Sequence, residues 1–222
     1  MKTLYLFDID GTLVNINKLH LASYKYDYYD VMKINVPDYM ITKTFGMPDS
    51  SMHRQIFREL SINYDNAVAQ RLMQLHPSNF AKVLGQHPVE PLEGVLDFLE
   101  AIRSAGHFAG VVSGNMEGIA RLILEKSGLS KYFDVSSFDD GLSTRAQIVQ
   151  RAIERAKSMK YDFGKIIVIG DTAYDIEAAK KSGAFAVGVA TGSCTLQELQ
   201  KTADLTLSSL KEYGKIKEMA NS

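Results

Sequence analysis

The four apolar residues Leu4-Tyr5-Leu6-Phe7 run straight into Asp8-Ile9-Asp10-Gly11-Thr12-Leu13, and this junction constrains the fold more than any other stretch of the chain. Successive side chains of a strand point to opposite faces. A strand that is apolar at every position is therefore covered on both faces, as in a parallel sheet flanked by helices. Two carboxylates then stand at its carboxyl end, one residue apart. If the chain stays extended there, both point to the same side, while Gly11 permits a turn and Thr12 can bond nearby backbone. Like charges at that spacing require a cation or a shared proton. The arrangement suits a carboxylate nucleophile beside an acid/base partner, with a hard metal between them. The plainer alternative is a pair of turn-forming aspartates behind an ordinary strand.

From residue 88 onward strands and helices alternate. The spacing predicts helices over 94–105, 117–127, 143–159 and 173–183, with strands over 107–112, 132–138, 165–169 and 184–189. A weaker repeat follows, with a helix near 196–201, a strand near 205–207 and a last helix. Such alternation argues for a doubly wound, Rossmann-like α/β core with a parallel sheet and right-handed crossovers. Residues 17–84 read as helical instead. Leu21, Tyr24, Tyr28 and Met32 recur at spacings of three and four, Asp49 or Ser50 is placed to cap a helix reaching Leu60, and a further helix is expected over 64–75. A short strand near 39–44 is the one β candidate in this region. The expected organisation is a core of residues 1–15 and 85–222 carrying an all-helical insertion over 16–84.

Composition narrows the function. Lys and Arg number 25 against 26 Asp and Glu, so no net field favours nucleic acid or an anionic membrane. A hydrophobic fraction of 45% supports a sizeable core and argues against disorder. The single cysteine, Cys194, cannot form an internal disulfide, which fits a reducing compartment. No apolar run approaches the ~20 residues that cross a bilayer, and Asp8 and Asp10 interrupt the one stretch that imitates a signal peptide. A cytoplasmic protein is expected, a monomer or homodimer.

Ligands of open α/β sheets bind outside the carboxyl ends of the strands, and three predicted strands end in unusual polar groups. The first ends at Asp8. The second ends at Ser113-Gly114-Asn115, where a hydroxyl and backbone N–H groups near a helix start could cradle a phosphate or simply cap the helix. The strand over 165–169 ends at Gly170-Asp171, with Asp175 one helical turn later. Asp171 and Asp175 could complete an oxygen shell for a divalent ion, or merely balance the helix dipole. Arg145, near the start of a predicted helix, is a cation where the dipole disfavours one. It is either matched to a specific anion or an ordinary surface residue.

Asp8-Ile-Asp-Gly-Thr-Leu13, Val111-Val-Ser-Gly-Asn115 and Ile169-Gly-Asp-Thr-Ala-Tyr-Asp175, in that order, resemble the motifs of the haloacid dehalogenase-like (HAD) superfamily, in its phosphoglycolate phosphatase-like, helical-cap branch. Ala190-Thr-Gly192, followed by Ala203-Asp204, is similar to the family's C-terminal pattern. The resemblance implies a phosphatase acting on a small phosphate ester, with Asp8 as nucleophile and Asp10 as acid, then base. It implies Mg2+ held by Asp8, the Asp10 backbone carbonyl and Asp171. Ser113, Gly114, Asn115 and Arg145 would bind the phosphoryl group, and Asp175 would orient Arg145 or a metal-bound water. The family's usual lysine, often followed by proline, has no Lys-Pro counterpart here, and Arg145 is the positional candidate. The insertion resembles a mobile cap, in which Thr44, Met47 and Arg54 are candidate substrate contacts.

Other readings share these residues. A phosphomutase would keep the same core but needs a second phosphate clamp, and none is evident over 16–84. A dehalogenase has no use for Asp10. A phosphonate-cleaving relative would need a Schiff-base lysine among Lys18, Lys25, Lys33 and Lys43. A non-catalytic binding protein on this fold has no need of the whole set.

Overall fold

The computed structural model describes residues 1–221, the side chains of Ser50, Ala220 and Asn221 excepted. The chain runs β1 (Thr3–Phe7), α1 (Asn17–Met32), α2 (Asp38–Thr42), α3 (Asp49–Glu59), α4 (Asn66–Gly85), α5 (Val95–Ser104), β2 (Phe108–Met116) and α6 (Glu117–Lys126). It continues through β3 (Val135–Asp139), α7 (Arg145–Ser158), β4 (Lys165–Gly170), α8 (Ala173–Lys181), β5 (Phe185–Val189), α9 (Leu196–Leu199), β6 (Leu205–Leu207) and α10 (Gly214–Asn221). The six strands form one sheet in the order β3-β2-β1-β4-β5-β6, and every neighbouring pair is parallel. The strand order reverses at β1, in register with β2 on one side (Phe7 beside Val111) and β4 on the other (Phe7 beside Ile169). In doubly wound sheets that reversal opens the crevice in which ligands bind.

The apolar run of β1 is divided between two cores, as its pleat requires. Tyr5 and Phe7 enter a cluster with Phe98 and Leu99 of α5, Ile119 and Ile123 of α6, and Ile216 of α10. Leu4 and Leu6 face the opposite layer, with Ile148 and Val149 of α7 and Ile176 and Ala179 of α8. Phe98 meets both aromatic rings of β1 edge-on, at 5.4 Å from Tyr5 and 5.6 Å from Phe7, the favoured geometry for such pairs.

Helices α1 to α4 assemble a third cluster from Tyr24, Tyr28, Ile41, Met52, Ile56, Phe57 and Leu72. Phe80 and Leu84, on the last turns of α4, return to the cluster under the sheet, so α4 ties the insertion to the rest of the molecule. No helix among the described residues is long and apolar enough to cross a membrane.

Several expectations need correction. Residues 39–44 form no strand: Asp38–Thr42 is a short helix entered from Pro37, which supplies a fixed φ at a helix entrance. Asp49 is the first residue of α3 rather than its cap, which is Pro48; the side chain of Ser50 lies outside the described residues. The helix expected over 64–75 runs on to Gly85 through Pro77. A proline removes one helical donor and strains the preceding turn, and here the burial of His76, Asn79, Phe80 and Leu84 outweighs that cost. β2 continues beyond Val112 through Ser113-Gly114-Asn115 to Met116, with a register irregularity against β3. Neither Ser113 nor Asn115 caps α6, whose N-cap is Met116.

Candidate active site

Asp8 follows β1 directly, and its N–H donates to the carbonyl of Ile169 at 2.9 Å. The chain then folds back within a few residues, Gly11 N–H donating to the Val14 carbonyl at 2.7 Å. Gly11 has φ +82, and a Cβ there would lie 2.5 Å from Oδ2 of Asp171. Only glycine allows this turn to press against the carboxylate at the end of β4. The two strand ends thereby converge.

Arg145 is the first residue of α7, capped by Thr144 through a reciprocal bond with Gln147. The cap directs the helix start at the sheet's crevice, and the guanidinium is 5% exposed. Its Nη2 donates to Asp8 Oδ1 and, at 2.6 Å, to Asp175 Oδ1, while Nε also donates to Asp175 Oδ1 at 3.0 Å. Its Nη1 is buried without a partner. Asp175 is fully committed on its other side, where Oδ2 accepts from Thr172 Oγ1 at 2.6 Å and Thr172 N at 3.1 Å. Thr172-Ala-Tyr-Asp175 is a capping box that starts α8, so one carboxylate both nucleates a helix and holds the arginine.

Burial raises the Asp8 carboxyl well above the usual range; Arg145 opposes that rise, and Asp175, Asp171 and Asp10 add to it. Asp171 is pushed up to about 7, by burial first and Asp175 second, against the Ser193 N–H that donates to its Oδ2 at 2.6 Å. Burial disfavours the Arg145 cation, and Asp175 and Asp8 more than compensate, so its pKa is raised.

Ligand-capable atoms of Asp8, Asp171 and Asp175 lie within 4.8 Å of one another. Oδ1 of Asp171 is buried and has no hydrogen-bond partner. Crowded, poorly solvated carboxylate oxygens with an unused acceptor fit a hard divalent cation. Since both oxygens of Asp175 are occupied, Asp8 and Asp171 are the side chains free to hold one.

Asp10 is gripped from two sides. Asn115 Nδ2 donates to its Oδ2 at 2.5 Å, and His20 Nε2 lies 3.1 Å from its Oδ1. His20 comes from α1, so the insertion reaches the residues at the sheet's edge. Burial pushes the His20 imidazole down, but the Asp10 carboxylate outweighs it and the pKa is raised. The Asn115 N–H turns back to Ser113 Oγ at 3.1 Å. A Cβ on Gly114 would stand 2.7 Å from the Met47 carbonyl, so the insertion's loop rests directly on the β2 terminus.

Most of these groups line one cavity, with Asp171 and Asp175 outside its lining. The sheet side contributes Asp8, Asp10, Ser113, Gly114, Asn115 and Arg145; the insertion contributes His20, Tyr24, Thr44, Met47, Asp49 and Met52. Its interior is about 40 Å³, room for little more than water. Thr44 faces this cavity, although its hydroxyl donates to the Ile41 carbonyl at 2.6 Å. Arg54 does not: it is exposed, with its guanidinium 4.2 Å from the Tyr64 ring centroid.

His20 and Asp49 are absent from the set read from the motifs. A partial signal exists for His20. His20, Ser23, Tyr24 and Asp27 recur at helical spacing and are all buried, so the inward stripe of α1 is polar where a packing helix is usually apolar.

The model of the family described as haloacid dehalogenase-like hydrolase matches residues 5–189. The pyrophosphatase PpaX of Listeria monocytogenes is 28% identical over 192 residues, 85% of this chain and 83% of the relative. A phosphoglycolate phosphatase of Agrobacterium fabrum is 23% identical over 208 residues, 93% and 88% of the two chains. The crystal structure of a hydrolase from Pseudomonas syringae superposes with a TM-score of 0.82 at 22% identity, covering 98% of this chain and 99% of its own.

Proposed function

Because the chain belongs to the haloacid dehalogenase-like hydrolases, we propose that it is a Mg2+-dependent phosphatase that cleaves a small phosphate ester through an aspartyl-phosphate on Asp8. The observation that carries this reading is the pairing of two aspartates in contrasting surroundings. Asp8 is buried against Arg145, whereas Asp10 is held by His20 and Asn115.

In this reading an Asp8 oxygen attacks phosphorus as the ester oxygen departs. Arg145, through its unpartnered Nη1, and the Ser113-Gly114-Asn115 segment hold the phosphoryl oxygens where negative charge is greatest. Asp10 gives its proton to the leaving oxygen and later removes one from the water that hydrolyses the acyl phosphate. Asn115 and His20 fix its orientation for both steps. Asp175 keeps the guanidinium in place. Mg2+ held by Asp8, Asp171 and the Asp10 carbonyl would neutralise the transferring group and offset the repulsion between the carboxylates.

Residues 16–84 act as the cap and residues 1–15 and 85–222 as the catalytic core. His20 joins Asp10 only when the cap is down, so the acid is fully positioned only in the closed state. The test is phosphate release from p-nitrophenyl phosphate and a panel of phosphate esters, with Mg2+ and with chelator. Mg2+-dependent release supports the assignment. Release that is indifferent to chelation contradicts the metal, and isomerisation without release points to a mutase.

A further inference from the structure

The part of the cavity bordering Asp10 receives the alcohol portion of a substrate, since Asp10 protonates the leaving oxygen. Asp49 stands there. It is 3% exposed, its Oδ1 accepts from Tyr24 Oη, and its Oδ2 accepts from the Met116 N–H at 3.1 Å. Met116 follows Asn115, which holds Asp10; Tyr24 lies 6.1 Å from the stacked ring of His20, which also holds Asp10. A carboxylate offers about four acceptor positions, so two hydrogen bonds leave Asp49 able to accept more.

Among the described residues no lysine or arginine balances it, and the one basic side chain that feels its charge is His20, whose imidazole pKa, against burial, is raised by Asp10 first and by Asp49 after it. Among the described residues lining the cavity, Arg145 is the only lysine or arginine, and Asp8 and Asp175 engage it. His20 hydrogen-bonds Asp10, so its charge is shared between two carboxylates and leaves the pocket no spare cation. None of the insertion's lysines or arginines is among the residues that line the cavity; Lys25 pairs with Asp38 at 2.6 Å, Lys43 with Glu59 at 3.4 Å, and Arg54 lies over Tyr64. A second phosphate or a carboxylate on the substrate would meet an anion in a poorly solvated pocket, where like charges repel strongly.

We propose that Asp49 sets specificity: the substrate is a monophosphate ester whose alcohol portion carries no second anionic group and offers a hydroxyl or ammonium donor to the Asp49 carboxylate. The inference rests on the phosphatase reading and deepens it. It also separates this chain from an enzyme for phosphoglycolate, pyrophosphate or a sugar bisphosphate.

The experiment compares kcat/KM for glycerol 3-phosphate and phosphoethanolamine with that for phosphoglycolate and fructose 1,6-bisphosphate, with p-nitrophenyl phosphate as reference. Wild type favours the first pair by about tenfold or more. Asp49→Asn compresses that ratio by about tenfold, whatever it does to absolute rates, and Asp49→Glu preserves it. A wild type that prefers the anionic esters, or a ratio unmoved in a folded Asp49→Asn, overturns the proposal; should Asp49→Asn not fold, the wild-type ratio decides alone. Failure to hydrolyse any ester, p-nitrophenyl phosphate included, overturns the phosphatase reading instead. Calorimetric binding of the same esters then decides the specificity, and tighter binding of phosphoglycolate than of glycerol 3-phosphate overturns it.

Discussion

Arg145 and Asp175 meet side-on between α7 and α8, Nε and Nη2 both donating to one carboxylate oxygen at 3.0 and 2.6 Å. A cation at the first residue of a helix opposes the dipole, and burial adds a desolvation cost. Two carboxylates, Asp175 and Asp8, offset both. Because Thr172 holds the far oxygen of Asp175, the arginine is aligned by the same capping box that starts α8.

Removing that cation should therefore cost stability as well as rate. Arg145→Met leaves Asp8 and Asp175 buried without a counter-charge, and about 3–5 kcal/mol of stability should be lost. Arg145→Lys keeps the charge but cannot donate from two nitrogens to Asp175, so it should fold and retain part of the activity. Denaturant melts and kcat for both variants check this. Equal stability of Arg145→Met and wild type would contradict it.

Asp171 carries the opposite expectation. Its Oδ1 is buried and unpartnered, and its neighbours are carboxylates. Asp171→Asn removes repulsion, so the metal-free variant should be at least as stable as wild type. Binding to the folded state stabilises by mass action. Mg2+ should thus raise the wild-type melting temperature and leave Asp171→Asn unmoved, a comparison made by calorimetric scans. Equal shifts in both proteins would exclude Asp171 as a ligand.

Asp10 can be tested through the leaving group. p-Nitrophenolate departs without a proton, whereas an alkoxide does not. Asp10→Asn should slow alkyl phosphates by about 10²–10⁴-fold. With p-nitrophenyl phosphate it should give a rapid burst followed by slow turnover, because the hydrolysis of the acyl phosphate lacks its base. Stopped-flow absorbance resolves the two phases. Equal losses in the burst for both ester types would remove the acid role.

His53 predicts a pH dependence of the fold itself. It is 1% exposed, with the Tyr28 hydroxyl 2.9 Å from Nδ1. Burial, with His76 nearby, lowers its pKa from 6.5 to about 3. Between those values the unfolded chain binds a proton that the folded chain refuses. Stability from this residue is complete above pH 6.5 and falls as pH drops toward 3, by about 1.4 kcal/mol per unit at full slope. Urea melts from pH 7 to 4 should show a steeper decline for wild type than for His53→Asn. Parallel declines would show that His53 titrates freely.

The centre of the sheet is readable because β1 and β4 are short, mostly apolar runs that stop at glycine or aspartate, as at Phe7-Asp8 and Ile169-Gly170-Asp171. The same abruptness marks the two carboxylates, Asp8 and Asp171, whose ligand-capable atoms the fold brings together. What escaped depended on partners distant in sequence. His20 and Asp49 sit on helices whose local pattern gives no hint of Asp10 or of the Met116 N–H, and only the packing of the insertion on β2 joins them. The helix expected to end near Leu75 instead passes through Pro77, because Phe80 and Leu84 are anchored under the sheet. Ser113 and Asn115 resembled capping residues, but their polar groups are engaged with each other and with Asp10.

The central claim is that phosphorus passes through Asp8, and mass spectrometry of enzyme acid-quenched during turnover tests it most directly. With Mg2+ and p-nitrophenyl phosphate, a phosphoryl group should appear on the peptide containing Asp8. Asp8→Asn, folded by circular dichroism, should show neither that adduct nor turnover. Hydrolysis by Asp8→Asn at the wild-type rate would contradict the account.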